Sequence, residues 1–312
     1  MLFLVNKRAV SKFSVTILAA TCLSACGTGE VAQADPTIIP ATGPAVWTMS
    51  DEDTTVHLFG FTQVLKPGVA WQSAAYKNAL ETSDTVLLET HSDDPQEQAA
   101  MQQTVQKIGL YSDGQTLTSV LSSEEAEEIG AVTQSIGLPL AGLNPLKPWL
   151  ASIQLGVISI TKQGYDLAHP PAGDISQTAE ASDKTIESLE GPTHLMEKIA
   201  ALPEDEQVKM LVHSVRTLRD DPDQMERLNA AWLQGDVPEI GEILHGEGGA
   251  WSSDLVYKTM LVDRNKAWRD QIKKRMETET GTIFVAVGLG HLAGKDSLVN
   301  MLEAEGYVVT RE

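Results

Sequence analysis

Thr282-Ile283-Phe284-Val285-Ala286-Val287 is a six-residue apolar run, and Gly288-Leu289-Gly290-His291 follows it without a break. Its length and β-branched content read as a strand over residues 282–287, and the glycines read as the loop that leaves it. A helix is expected next, over about 296–305, with Gly306 as its stop and a last strand at 307–310. Strand, helix and strand in that order form a closing βαβ unit.

The same order occurs at the other end of the chain. Strands are expected at 46–49 and at 55–59, the latter (Thr-Val-His-Leu-Phe) ending at Gly60. A helix over 67–82 would place Trp71, Ala74, Ala75 and Ala79 on one face, and Thr-Val-Leu-Leu-Glu at 85–89 is a further strand. The middle reads as helical. Ser122 and Glu125 form a capping-box pattern ahead of Ile129, Val132 and Ile136, with Gly137 as the stop. Residues 145–162 and 191–233 read as further helices, separated by a Pro170-Pro171-Ala172-Gly173 loop. A long helix over about 254–279 carries Leu261, Trp268, Ile272 and Met276 in one stripe. The expected fold is therefore α/β: a mixed or mostly parallel sheet from N- and C-terminal βαβ units, with a helical middle as insertion or cap.

The first residues carry a different signal. Lys7, Arg8 and Lys12 precede a short apolar run at 13–23, too short to span a bilayer as a mature helix, which closes on Leu23-Ser24-Ala25-Cys26. This looks like a lipobox, so residues 1–25 are expected to be a lipoprotein signal peptide and Cys26 the lipidated residue. Gly27 after the cysteine resembles outer-membrane sorting. Residues 26–44, small, polar and proline-bearing, read as a tether, and residues 45–312 as one domain. The expected location is the bacterial cell envelope, with the lipid as the membrane partner. Of the 2 cysteines, Cys22 leaves with the leader and Cys26 takes the lipid, so the domain must hold together by its core. The leader holds three of the 23 basic residues and no acidic one, so beyond it 43 acidic face 20 basic groups, a formal charge near −23. Such a surface repels phosphate backbones, which argues against nucleic acid as a partner.

In open α/β sheets ligands bind beyond the carboxyl ends of the strands. Three segments put polar groups there: Gly60-Phe61-Thr62-Gln63, Glu89 with His91 after it, and Gly288-Leu289-Gly290-His291. A carboxylate and an imidazole brought together by such turns suit a divalent metal or acid–base work, although solvated strand ends and turn residues would give the same pattern. The run from Val287 to Lys295 mimics a phosphate loop. Its third glycine is one residue late for a dinucleotide fingerprint, and Asp296 stands where a phosphate loop has its metal-binding hydroxyl. A nucleotide site is thus improbable. Asn265, beside Arg264, projects from the apolar stripe of the long helix and must find hydrogen-bond partners. It either stitches that helix to a sheet edge or serves the site, and Glu190 is a further carboxylate aimed at the same region.

Together these segments resemble the TraB/GumN family across nearly the whole of the domain. The resemblance is carried by Val46-Trp47, His57-Leu58-Phe59-Gly60-Phe61-Thr62-Gln63, Leu87-Leu88-Glu89, Lys147-Pro148-Trp149, Gly173-Asp174, Ser188-Leu189-Glu190, Trp232-Leu233-Gln234-Gly235-Asp236, Arg264-Asn265 with Trp268, and residues 285–294. It implies an α/β fold shared more distantly with erythromycin esterases and ChaN-type haem-binding lipoproteins. It also implies kinship with the animal Tiki proteins, membrane-tethered metal-dependent proteases whose activity is associated with two Gly-x-x-His motifs and a glutamate. Gly288 to His291 matches the second motif, Glu89 matches the glutamate, and Arg264 and Asn265 match a pair of the family pattern. The first motif departs, ending in Gln63, a poorer ligand than imidazole and unable to titrate. His91 is the residue placed to compensate, and His57, further inside its strand, is expected to be structural. The resemblance thus implies Glu89, His291, Arg264 and Asn265 as catalytic residues, and Glu89, His291 and Gln63 as ligands of a divalent Mn, Co or Zn. The activity would be a metal-dependent, protease-like hydrolase. The alternative is a non-catalytic envelope lipoprotein binding haem, a peptide or an envelope component in the same cleft.

Overall fold

A computed structural model describes residues 43–312 except 93 and 113. The leader, Cys26 and the tether up to residue 42 lie outside the described residues. In chain order the elements are β1 (Val46–Ser50), β2 (Thr54–Phe61), α1 (Ala74–Thr82), β3 (Thr85–Leu88), α2 (Pro95–Gly109), α3 (Leu117–Val120), α4 (Ser123–Ser135), α5 (Pro148–Lys162), α6 (Pro171–Ala181), β4 (Thr185–Ser188), α7 (His194–Ala200), α8 (Glu204–Asp220), α9 (Gln224–Gln234), α10 (Val237–His245), α11 (Asp254–Tyr257), α12 (Asp263–Thr278), β5 (Gly281–Gly288), α13 (Leu298–Ala304) and β6 (Thr310–Arg311). Among the described residues no helix is long and apolar enough to cross a membrane.

The strands form one sheet in the order β4-β3-β5-β2-β1-β6. β5 lies between β3 and β2, parallel to both, and β4 is parallel to β3. Only β1 runs against its neighbours, β2 and β6. The sheet is α/β and mostly parallel, as expected. β5 is the innermost of the long strands, and alternation sorts its side chains. Ile283, Val285 and Val287 enter one layer with Leu58, Leu87, Trp268, Ile272 and Leu302. Phe284 and Ala286 enter the other with Phe59, Val86, Tyr76, Ile175 and Trp232. α12 and α13 cover the first face, while α1, α6, α9 and α10 cover the second. The expected helical middle is present. Part of it packs through its own core, in which Leu117, Ile129, Leu155, Leu211 and Val215 meet away from the sheet.

Several boundaries differ from expectation, for local reasons. The first helix begins at Ala74, not at 67, because Ser73 caps it by accepting from Tyr76 N and Gly68 sits at φ +80° upstream. Pro171 does not continue a loop but opens α6 at its first turn, where a missing N–H costs nothing. α2 and the edge strand β4 have no counterpart in the sequence reading. The last strand is shorter than the expected 307–310 and shifted to Thr310–Arg311, and the last helix starts at Leu298 behind a Ser297 cap. The long helix exists, but residues Lys258–Val262 take π-helical form between α11 and α12. π-segments of this kind are frequent next to functional side chains.

Candidate functional site

Because β2, β3, β4 and β5 are parallel, their carboxyl ends open on one edge of the sheet, and four segments of interest leave the sheet there. Gln63 lies two residues past β2, Glu89 immediately past β3, Glu190 two past β4, and the turn to His291 follows β5. The β3–β4 ladder continues beyond the strands through Leu189 N to Leu88 O (2.8 Å) and Glu190 N to Glu89 O (3.0 Å), which sets the two glutamates side by side.

Gly288 is the point on which the expected residues converge. Its N–H donates to Glu89 Oε1 at 3.0 Å. A Cβ built on it would lie 3.4 Å from both Gln63 Nε2 and Glu89 Oε1 and 3.7 Å from His291 Cδ2. Gln63, Glu89 and His291, far apart in sequence, therefore meet. Gly60 serves the same turn from the other side. A Cβ there would come within 3.0 Å of Leu289 Cα, so only glycine lets the two loops pass without a shift.

His291 is 6% exposed and held on three sides. The amide nitrogen of Asn265, itself fully buried, donates to His291 O (3.3 Å) and Asp296 O (2.8 Å). That fixes Oδ1 of Asn265 as the acceptor for His291 Nδ1–H at 2.6 Å. Nε2 is then the acceptor nitrogen, and it receives Arg264 Nη1–H at 2.9 Å. The Trp268 ring packs against the imidazole at 4.4 Å between centroids. Burial first, then the charge of Arg264, then His245, push the His291 pKa well below its ordinary value, so the ring is neutral.

Arg264 is as tightly held. Its Nε and Nη2 grip Glu190 as a fork, at 3.1 and 2.7 Å, and Nη1 also donates to Met260 O at 3.1 Å. Nη2 stands 3.6 Å from Glu89 Oε1, and the guanidinium lies over Trp268 at 4.5 Å. Both side chains of the Arg264–Glu190 pair are under a tenth exposed. Asn265 and Arg264 thus both stitch α12 to the sheet edge and stand inside the site, and Glu190 completes it.

The donor set implied for a divalent cation does not fit one in this arrangement. Gln63 offers a neutral amide, the lone pair of His291 Nε2 is taken by Arg264, and the guanidinium is in contact with both His291 and Glu89. A cation between those two residues would share its place with a fixed positive charge. Among the described residues no group of three or more His, Cys, Asp or Glu is arranged to hold a metal ion. His91 is held at Nδ1 and at its backbone: Nδ1 faces Ser176 Oγ at 3.2 Å, and its backbone N–H donates to Ser188 Oγ at 2.8 Å.

Gln63, Glu89 and His91 instead line a cavity of about 290 Å³ with Phe61, Ala172 and Ser176, and among the described residues no lysine or arginine lines it. Ser176, which also reaches Glu180 at 3.2 Å, was not evident from the sequence. Its helix begins in a stretch that reads as a loop. His57 is structural, bonded through Nδ1 to Thr48 Oγ1 at 2.9 Å across the β1–β2 pair.

Two comparisons and a family model complete the picture. The model described as the TraB/PrgY/gumN family matches residues 45–311. No curated protein matches the chain, and no solved structure does.

Proposed function

Because the chain belongs to the TraB/PrgY/gumN family, we propose that it is a lipid-anchored cell-envelope protein whose sheet-edge cleft binds a peptide or small-molecule ligand without a resident metal ion. One observation carries this reading: the Arg264 guanidinium, locked to Glu190, reaches His291 Nε2 at 2.9 Å and Glu89 Oε1 at 3.6 Å. A fixed internal cation there screens Glu89 and occupies the His291 lone pair, the charge and the lone pair that a metal would need. What remains open to the cavity is Glu89, Gln63 and His91, a set suited to hydrogen-bonding a guest. The lipobox-like Leu23-Ser24-Ala25-Cys26 supports the anchor, since a chain this acidic has no charge with which to hold an anionic membrane.

A metal-dependent hydrolase is the second reading, favoured by the convergence of Gln63, Glu89 and His291 on Gly288. It requires Arg264 to withdraw from His291. Metal analysis of the purified, detergent-solubilised chain separates the two. Ligand capture predicts no stoichiometric Mn, Co or Zn in the parent, and none gained by Gln63→His while Arg264 is in place. One equivalent of metal in the parent, lost in both Glu89→Ala and His291→Ala, would instead establish the hydrolase.

A further inference from the structure

A second cavity, about 820 Å³, lies on the far side of the 288–294 turn, against α10, α11 and α13. Its lining includes four aromatic side chains, Trp47, His245, Trp251 and Tyr257. Three of them form a fixed cluster. The His245 and Trp251 rings are nearly parallel (3°) with centroids 5.9 Å apart, and Tyr257 stands edge-on to both, at 5.8 and 5.6 Å. Every polar edge of the cluster is engaged. Trp251 Nε1 donates to His245 Nδ1 (2.8 Å), His245 Nε2 donates to Gly290 O (3.1 Å), and Tyr257 OH donates to Asp296 Oδ2 (2.7 Å). The rings are therefore preorganised, and what they have left to offer a guest is their π-faces.

The charge around them is one-sided. Glu242, Asp254 and Glu303 are in the lining, and none forms an ion pair among the described residues; Lys295 is the one cation in that lining. Donors are scarce. Asn300 Nδ2 is committed to Gly294 O and Lys295 O, and Ser253 Oγ to Glu206. His245 would repel a cation if protonated, but burial holds its pKa below the ordinary value, and a proton on Nδ1 would break the bond from Trp251.

We propose that this cavity is a second ligand site, selective for an organic ammonium group, which the Trp251–His245–Tyr257 faces and the Glu242, Asp254 and Glu303 carboxylates take up together. Free carboxylate acceptors and π-faces, with Lys295 the one charged donor beside them, match a ligand that is all donor or all positive charge. A saccharide would also lie on aromatic rings, but it needs several donors for its ring and glycosidic oxygens, and those of Asn300 and Ser253 are committed elsewhere. The site shares only the 288–296 segment with the sheet-edge cleft, so it stands whether or not that cleft holds a metal.

The test is calorimetric titration of the full chain with choline, with n-butylammonium, and with 3,3-dimethylbutan-1-ol, the uncharged carbon counterpart of choline. Saturable binding of at least one ammonium is expected, about tenfold tighter than the neutral alcohol, as aromatic and carboxylate recognition of a cation requires. Trp251→Leu should weaken it about fivefold or more. Glu303→Gln, at an exposed and unpaired carboxylate where folding is not at stake, should weaken the ammonium about twofold to threefold and leave the alcohol unchanged. Failure of both ammonium ions to bind, equal binding of the alcohol, or binding that neither substitution alters would overturn the proposal.

Discussion

Replacing Arg264 by Met tests whether the guanidinium is the internal cation of the sheet-edge site. The side chain volume is roughly kept, and the stem can still lie against Trp268, so the loss is electrostatic rather than a cavity. Four hydrogen bonds go: two to Glu190, one to Met260 O and one to His291 Nε2. The Glu190 carboxylate, 6% exposed at its side chain, is left without a counter-ion. Removing one partner of a buried pair costs about 3–5 kcal/mol, far more than the net worth of the pair. For a domain of this size that lowers Tm by about 6–15 °C. The diagnostic is the double variant Arg264→Met with Glu190→Gln. If the cost lies in the stranded charge, neutralising it should return about half of the lost stability, seen as a coupling in a double-mutant cycle by urea denaturation. In the single variant the His291 pKa should also rise, because the Arg264 charge is among the causes that lower it, while burial still keeps it under the ordinary value. NMR titration of the ring would follow this. A single variant costing under about 1 kcal/mol, or a double variant no better than the single, would refute the reasoning.

Three further outcomes are expected. The pKa values of His57, His213, His245 and His291 are all lowered, first by burial. Above about pH 6.5 both states are neutral there and stability is full; below it the unfolded chain takes protons that the folded chain resists. Urea midpoints should therefore fall from pH 7.5 to pH 5.5, by up to about 1.4 kcal/mol per histidine per pH unit, and a flat profile would count against the buried neutral histidines. Gly60→Ala brings a Cβ within 3.0 Å of the Leu289 backbone and should cost about 1–3 kcal/mol, whereas Gly288→Ala, at ordinary contact distances, should fold normally while crowding Gln63 and Glu89. Thermal scans of the pair would show the contrast. The Tyr76 hydroxyl is buried without a hydrogen-bond partner, so Tyr76→Phe should leave stability unchanged or raise it by about 1 kcal/mol, and a clear loss would mean that the hydroxyl has a partner.

The sheet was legible wherever burial imposes a composition. β5 is enclosed on both faces, so it cannot afford a polar residue between Ile283 and Val287; β3 carries the same mark, and β2 admits only His57 between Val56 and Phe61, tied to Thr48. The stripe of α12 was equally plain, since Trp268, Ile272 and Met276 all face the core. α2, by contrast, is Pro-Gln-Glu-Gln-Ala-Ala-Met-Gln-Gln-Thr-Val-Gln-Lys-Ile-Gly, with only Val105 and Gly109 buried, so its stripe of Met101, Val105 and Ile108 is thin and set among glutamines. α6 was hidden by Pro170-Pro171, a pair that breaks a helix in its interior but starts one at its first turn.

The hidden edge strand is also why the chemistry of the site could not be settled from spacing. β4 is Thr-Ile-Glu-Ser, exposed or half-exposed along its whole length, and an edge strand in that setting needs no apolar alternation. Yet its pairing with β3 brings Glu190 beside Glu89 and within reach of Arg264. With two carboxylates side by side, a single arginine can form its fork with Glu190 and still cover Glu89 and His291. With Glu89 alone, the same three residues would read as ligands awaiting a metal. The motif residues do meet, as the resemblance implied. Which cation they meet depends on a four-residue strand whose signal lies in backbone hydrogen bonds, and those leave no trace in side-chain pattern.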